Sequence, residues 1–150
     1  MRYEAGNVSS LLTASANAPL VAFRVSAVER MALRELGVTL NSAVATRLGL
    51  VRATTPSVTP ASTIAGQNET PGAPASTSLL VSGWTTAPVL AASYLRRINL
   101  PASIGAGFIW TWPADGPLFV GLGSAIAEIC LANLNAAAPA IFDYYAIWDD

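Results

Sequence analysis

Residues 20–28 carry the pattern that most restricts this chain. Val21, Phe23, Val25 and Ala27 fall on one side of an extended segment, and Ala22, Arg24 and Ser26 on the other. That two-residue period belongs to a half-buried strand, whose apolar face needs a second layer to cover it. It returns over 32–40, where Leu36, Val38 and Leu40 oppose Glu35, Gly37 and Thr39, with Arg34 the exception on the apolar side. It returns again over 44–53, where Val44, Thr46, Leu48 and Leu50 alternate with Arg47, Gly49 and Val51. Asn41-Ser42 reads as a turn, so 32–40 and 44–53 form a hairpin candidate. Ala32 to Leu36 are also good helix formers, but the strand chemistry of Gly37-Val38-Thr39-Leu40 directly after them favours the sheet over a helix at 28–36.

The composition shifts from Ala53 to Ser78, which hold four prolines and ten Ser or Thr, with Gly66-Gln67-Asn68 and Pro71-Gly72-Ala73-Pro74 as breakers. This reads as a long loop outside the core, either a solvated surface loop or a strap crossing onto an adjacent subunit. Strands are expected at Leu79-Leu80-Val81 and Trp84, at 94–100, in the segment Gly105 to Pro113, at Leu118-Phe119-Val120 and at Ile141 to Trp148. Over 124–133 helix and strand both stay open, because Ile126, Ile129 and Cys130 also satisfy a helical period. Residues 1–19 mix Ser, Ala, Asn and Gly around Leu11 and Leu12 and end at Pro19, so they read as an extended arm with Leu11 and Leu12 as its contacts on a neighbour. The expected fold is all-β with about eight strands, a β-sandwich or jelly roll forming a single domain over 20–150, with the arm at 1–19 and the loop or strap at 53–78.

A chain of 150 residues buries roughly 70% of its unfolded surface, so its core needs no staple. Without histidine and with one cysteine it has no intrachain disulfide, no Cys/His metal cluster, no Ser-His-Asp or Cys-His pair and no imidazole for acid-base work. Glu4, Glu29, Glu35, Glu69, Asp115, Glu128, Asp143, Asp149 and Asp150 are scattered over the elements, with no sign of the facing pair a glycosidase needs. Gly105-Ala106-Gly107 and Gly121-Leu122-Gly123 lack the spacing and the lysine of a nucleotide loop and read as bends. Cys130, in an apolar run, reads as a core thiol. Neither an enzyme nor a cofactor is expected.

Eight arginines against nine acids give a net charge of −1, far from the basic excess that tracks a phosphate backbone, so nucleic acid is not an expected partner. The uncharged stretches 53–68 and 70–95 are rich in Pro, Ser, Thr and Gly, the more apolar 98–114 contains Asn99, Pro101 and several glycines, and no membrane helix is expected. No apolar h-region precedes Pro19, so no secretory signal is expected either. With 53% apolar and 11% charged residues, the surface lacks the repulsion that keeps chains apart, and self-association follows. Trp84, Trp110, Trp112, Tyr144 and Trp148 are candidates for the core or a subunit interface, with a sugar-stacking platform as the alternative use of the tryptophans.

Leu33 to Val38 leading through Ala45 to Leu50-Val51-Arg52-Ala53-Thr54, then Pro71 to Ser76, Tyr94 to Arg97, Gly105 to Trp112 and Tyr145 to Asp149 carry a resemblance. In spacing and texture the chain resembles, over roughly 20–150, a loosely defined set of small virion proteins of tailed bacteriophages and prophages. The resemblance implies a jelly-roll-like, non-enzymatic capsid decoration or other head-associated protein, often trimeric. It would be made in the bacterial host cytoplasm and placed on the capsid surface. The implied partners are further copies of itself and the major capsid protein or another virion protein. Its work would be mechanical, adding buried interface across lattice joints so that the shell resists internal DNA pressure. The alternative is a fibre or tail module that binds a receptor or carbohydrate through the Ser/Thr/Pro loop and a Trp pair.

Overall fold

The computed structural model describes residues 1–9, 13–27, 29–121 and 125–150. They form thirteen strands: β1 (Arg2–Val8), β2 (Ala18–Val25), β3 (Ala32–Leu40), β4 (Thr46–Thr55), β5 (Val58–Ala65), β6 (Gln67–Asn68), β7 (Leu79–Thr86), β8 (Val89–Leu90), β9 (Arg96–Leu100), β10 (Gly107–Thr111), β11 (Leu118–Phe119), β12 (Ala127–Asn133) and β13 (Phe142–Asp149). One sheet runs β10-β3-β13-β1-β6 with β11 also on β3, and the other runs β5-β7-β2-β12-β4-β8 with β9 also on β4.

Eight of these strands make a single antiparallel ribbon folded back over itself. β1 pairs with β13, β2 with β12, β3 with β10 and β4 with β9, so each strand of the first half finds its partner in reverse order in the second. Rolling the ribbon brings β13 beside β3 and β12 beside β4, which closes two four-stranded sheets, and that wiring is a jelly roll. The other five strands lie outside the roll. β7 extends the second sheet beyond β2, β5 lies on β7, and β6, β8 and β11 are two-residue pairings at edges. They account for thirteen strands where the sequence suggests about eight.

The core is the space between the sheets. Phe23 and Val25 from β2, Leu36, Val38 and Leu40 from β3, Leu48 and Leu50 from β4, Ile129 and Leu131 from β12, and Phe142 and Trp148 from β13 all point into it and are buried. Each large aliphatic or aromatic side chain among them contributes about 1.5–3 kcal/mol by leaving water. A second, smaller cluster of Ala22, Val51, Val81, Cys130 and Ala132 lies on the outer face of the second sheet, under Trp84, Leu90, Ala91 and Tyr94. β12 is thus covered on both faces, so Ile129 to Ala132 read as a continuous apolar run in which helix and strand periods cannot be separated. The structure resolves that ambiguity as strand.

Three expectations are corrected. Residues 2–8 are not a free arm: they form β1, paired along its length with β13, with Tyr3 in the core. The chain ends meet there, Met1 donating to the Asp150 carbonyl at 2.8 Å. Leu11 and Leu12 lie outside the described residues. The expected hairpin of 32–40 with 44–53 does not form, because 41–45 passes from one sheet to the other and β3 pairs with β10, β13 and β11. Finally, 53–78 is a loop only in part: its first portion holds the end of β4, β5 and β6, whereas 69–78 carries no strand. Pro60, the one proline of this segment inside a strand, is tolerated because β5 is an edge strand, where Pro60 opposite Trp84 breaks no inner ladder. Ser57, Ser76 and Ser78 of this segment are buried.

Candidate functional site

The aromatic candidates separate into three places. Tyr144 and Trp148 point inward from β13 and are core residues. Trp110 and Trp112 are half-buried at the rim where edge strand β10 packs on the core, beside Phe108, whose ring lies 4.3 Å from that of Trp110. The Arg96 guanidinium sits 4.6 Å over the Trp112 ring and covers it. Trp84 packs on the smaller cluster of the other sheet. The tryptophans therefore make no common stacking platform, because the jelly-roll wiring sends β7, β10 and β13 to different layers and edges.

Polar side chains that sequence reasoning passed over fix one end of the roll. The turns 41–45, 101–106 and 134–141 meet there with Ser9 and residues 13–17, and their backbones bond to one another and to the adjoining strand ends: Asn41 N–H to the Ile141 carbonyl at 2.7 Å, Gly105 N–H to the Leu40 carbonyl at 2.9 Å, Ser9 N–H to the Phe142 carbonyl at 2.8 Å. Asn133, fully buried, is the hub. Its amide donates toward the carbonyls of Thr13, Ser15, Asn135 and Ala137 at 2.9–3.3 Å, and its oxygen accepts from Asn135 N–H at 3.1 Å. On these fixed turns and the adjoining end of β1, aliphatic side chains stand in solvent: Val8 is 46% exposed, Val44 41%, Ile104 70% and Ile141 42%.

The outer face of the first sheet is different in character. Register places Gly6, Tyr145, Gly37 and Ile109 in one row across β1, β13, β3 and β10. The row above holds Val8, Asp143, Thr39 and Gly107, and the row below Gln67, Glu4, Ile147, Glu35 and Thr111. Tyr145 lies over Gly37, where a Cβ would overlap its ring, and its hydroxyl donates to Glu35 Oε1 at 2.6 Å. Open depressions flank it, one of about 250 Å³ lined by Glu4, Ala5, Gly6, Gln67 and Tyr145, the other of about 300 Å³ lined in part by Gly37, Thr39, Gly107 and Ile109.

Protein-family models, curated proteins and solved structures give no match to this chain.

Chemistry must then be read from the groups themselves. Among the described residues no three Cys, Asp or Glu side chains are grouped to hold a metal. Glu128 is spent on Arg24 and Ser57, Asp149 on Arg2 and Arg34, and Asp150 on Ser76 and Ser78. Burial, with the Glu128 charge as a lesser cause, pushes the Cys130 thiol far above its usual range, so it is not a nucleophile in the folded protein.

Both tyrosines of β13 are pushed up to about 12, Tyr144 by burial and Tyr145 first by its hydrogen bond to Glu35, then by burial and the Glu35 charge. The folded protein therefore holds phenolic protons that the unfolded chain releases near pH 10. Stability should be flat below about pH 10 and fall as pH rises toward about 12. Denaturant titrations at stepped alkaline pH, with phenolate absorbance, check this, and Glu35→Gln should lower the Tyr145 titration while leaving that of Tyr144.

Proposed function

We propose that the chain is a non-enzymatic structural protein of a tailed-bacteriophage virion, a capsid decoration or head-stabilising protein. It works by self-association and by binding across capsid subunits through the turn-bearing end of the roll. The resemblance of its sequence texture to small virion proteins supports the virion. The observation that carries the mode of binding is the set of exposed aliphatic side chains, Ile104 and Ile141 above all, held on turns that are already bonded to one another. A surface so pre-ordered loses little conformational freedom on docking, which favours affinity for a given area. A standard interface takes about 800 Å² from each partner, about a ninth of the chain's 6970 Å². One end of a roll this size can supply it.

The test is the size of the purified protein at tens of micromolar, by sedimentation, with Ile104→Asp/Ile141→Asp beside it. The parent chain is expected as an oligomer, a trimer having three times the 15.5 kDa of one chain. The double variant is expected as a folded monomer, since both side chains face water in the single chain, with a midpoint that no longer depends on protein concentration as the oligomeric parent's does. A strictly monomeric parent removes the self-association. Hundreds of copies per particle fit decoration, whereas a few copies point to a fibre.

A further inference from the structure

We propose that the outer face of the first sheet is a carbohydrate platform, centred on Tyr145, that takes a short neutral glycan lying across β1, β13, β3 and β10. This goes beyond attachment through the turn-bearing end, and the two readings fail separately.

Tyr145 is fixed on one side only. Gly37 has no side chain to lift the ring off the sheet, and the bond to Glu35 pins the hydroxyl, so one ring face rests on backbone and the other is open to solvent. Its neighbours in the row are two glycines, Gly6 and Gly37, where any other residue would crowd the ring or the strand beneath it. Their lack of side chains leaves a depression on each side. Four strands at about 4.8 Å spacing give the row a length of about 14 Å, enough for more than one ring of a ligand laid flat.

The lining suits a neutral sugar rather than an anion or an apolar small molecule of that size. Glu4 and Gln67 line one depression and Thr39 the other, with Asp143 opposite Thr39 in the next row, and no hydrogen bond joins any of these side chains to another side chain among the described residues. A carboxylate, an amide and a hydroxyl around an exposed aromatic face supply donors and acceptors for ring hydroxyls beside a surface for the apolar face of the pyranose. Glu4, Glu35 and Asp143 repel phosphates and acidic sugars. The depressions are open and shallow, so they do not enclose an apolar small molecule in the way a typical pocket does.

The experiment titrates the full chain with neutral disaccharides of glucose, galactose, mannose and N-acetylglucosamine, following amide and ring resonances, with choline and inorganic phosphate as cationic and anionic controls. At least one disaccharide is expected to give saturable shifts at millimolar concentration, centred on Gly6, Gly37, Gly107 and Tyr145. Tyr145→Phe should keep the binding, Tyr145→Ala should weaken it about tenfold or more, and Thr39→Val and Gln67→Ala should each weaken it less. Thr39 and Gln67 are exposed, so they report on binding even if Tyr145→Ala unfolds the sheet. Absence of saturable shifts with every sugar, shifts centred elsewhere, or binding of choline or phosphate alone overturns the proposal.

Discussion

Replacing Trp148 with alanine is expected to remove most of the protein's stability, about 3–5 kcal/mol out of the roughly 5–15 that a domain possesses. The indole is fully buried although it lies only two residues from Asp150. It fills the space between the β1–β13 seam and the 66–78 segment. Its ring stacks on Tyr3 with centroids 6.3 Å apart, and Gly66 is the residue that leaves room for it. Nε1–H donates to Ser76 Oγ at 3.1 Å, and Ser76 in turn is held by Asp150. Truncation therefore opens a large cavity, frees the segment that covers it and loosens the pairing of the first strand with the last. Trp148→Phe keeps most of the apolar contact and loses one hydrogen bond, so it should cost markedly less. Denaturant midpoints of the two variants measure the difference, and an alanine variant within about 1 kcal/mol of the parent would mean that the seam is not part of the core.

The inward half of this arrangement was legible in the sequence. Once Phe142, Tyr144, Ala146 and Trp148 are read as one face of a strand, their burial follows, and so does the outward direction of Tyr145. Phe23, Val25, Leu36, Val38, Leu48 and Leu50 follow by the same rule. Pairing was not legible, because alternation states which face is buried and not which strand lies beside it. Residues 32–40 and 44–53 are adjacent in sequence and separated by turn residues, features shared by a hairpin and by a chain crossing between two layers. The partners of β3 come instead from residues 107–111, 118–119 and 142–149, distant in sequence.

The site suffers from the same loss. Gly37 looks like an ordinary strand glycine until β13 is placed against it, and only then does it become the seat of the Tyr145 ring. Asn133 carries no local signal of its role as a hub, since its acceptors lie on two separate turns. Residues 2–8 were masked by composition: Tyr3 and Ala5 alternate with Arg2, Glu4 and Gly6, but the run is short and polar enough to resemble an arm. The Ser/Thr/Pro content of 53–78 has the same effect, because edge strands carry these residues for the reason loops do, their unpaired backbone facing water.

The second large effect is expected at Glu128, where alanine should cost about 3–5 kcal/mol although the residue touches no ligand. Its carboxylate is wholly buried on the outer side of β12 and accepts three hydrogen bonds: Arg24 Nη1 at 3.0 Å, Ser57 N–H at 2.8 Å and Ser57 Oγ–H at 2.6 Å. Arg24 also donates to the Ser57 carbonyl at 3.1 Å, so the three residues close a small network where the chain leaves β4 for β5. Removing the carboxylate strands a largely buried guanidinium and an unpaired backbone N–H together, which is why the loss exceeds that of an exposed ion pair. Replacing both charges at once, Arg24→Leu with Glu128→Leu, leaves no orphaned ion and should recover most of the stability. Hydrogen exchange should separate the two: in Glu128→Ala the amides of β5 and β7 open faster than those of β3 and β13, whereas the double replacement restores them. If the double variant is as unstable as the single one, the network matters through its shape and not through its charge. If Glu128→Ala is neutral, the exit of the β5–β7 hairpin from the roll is fixed by β7 pairing with β2 alone.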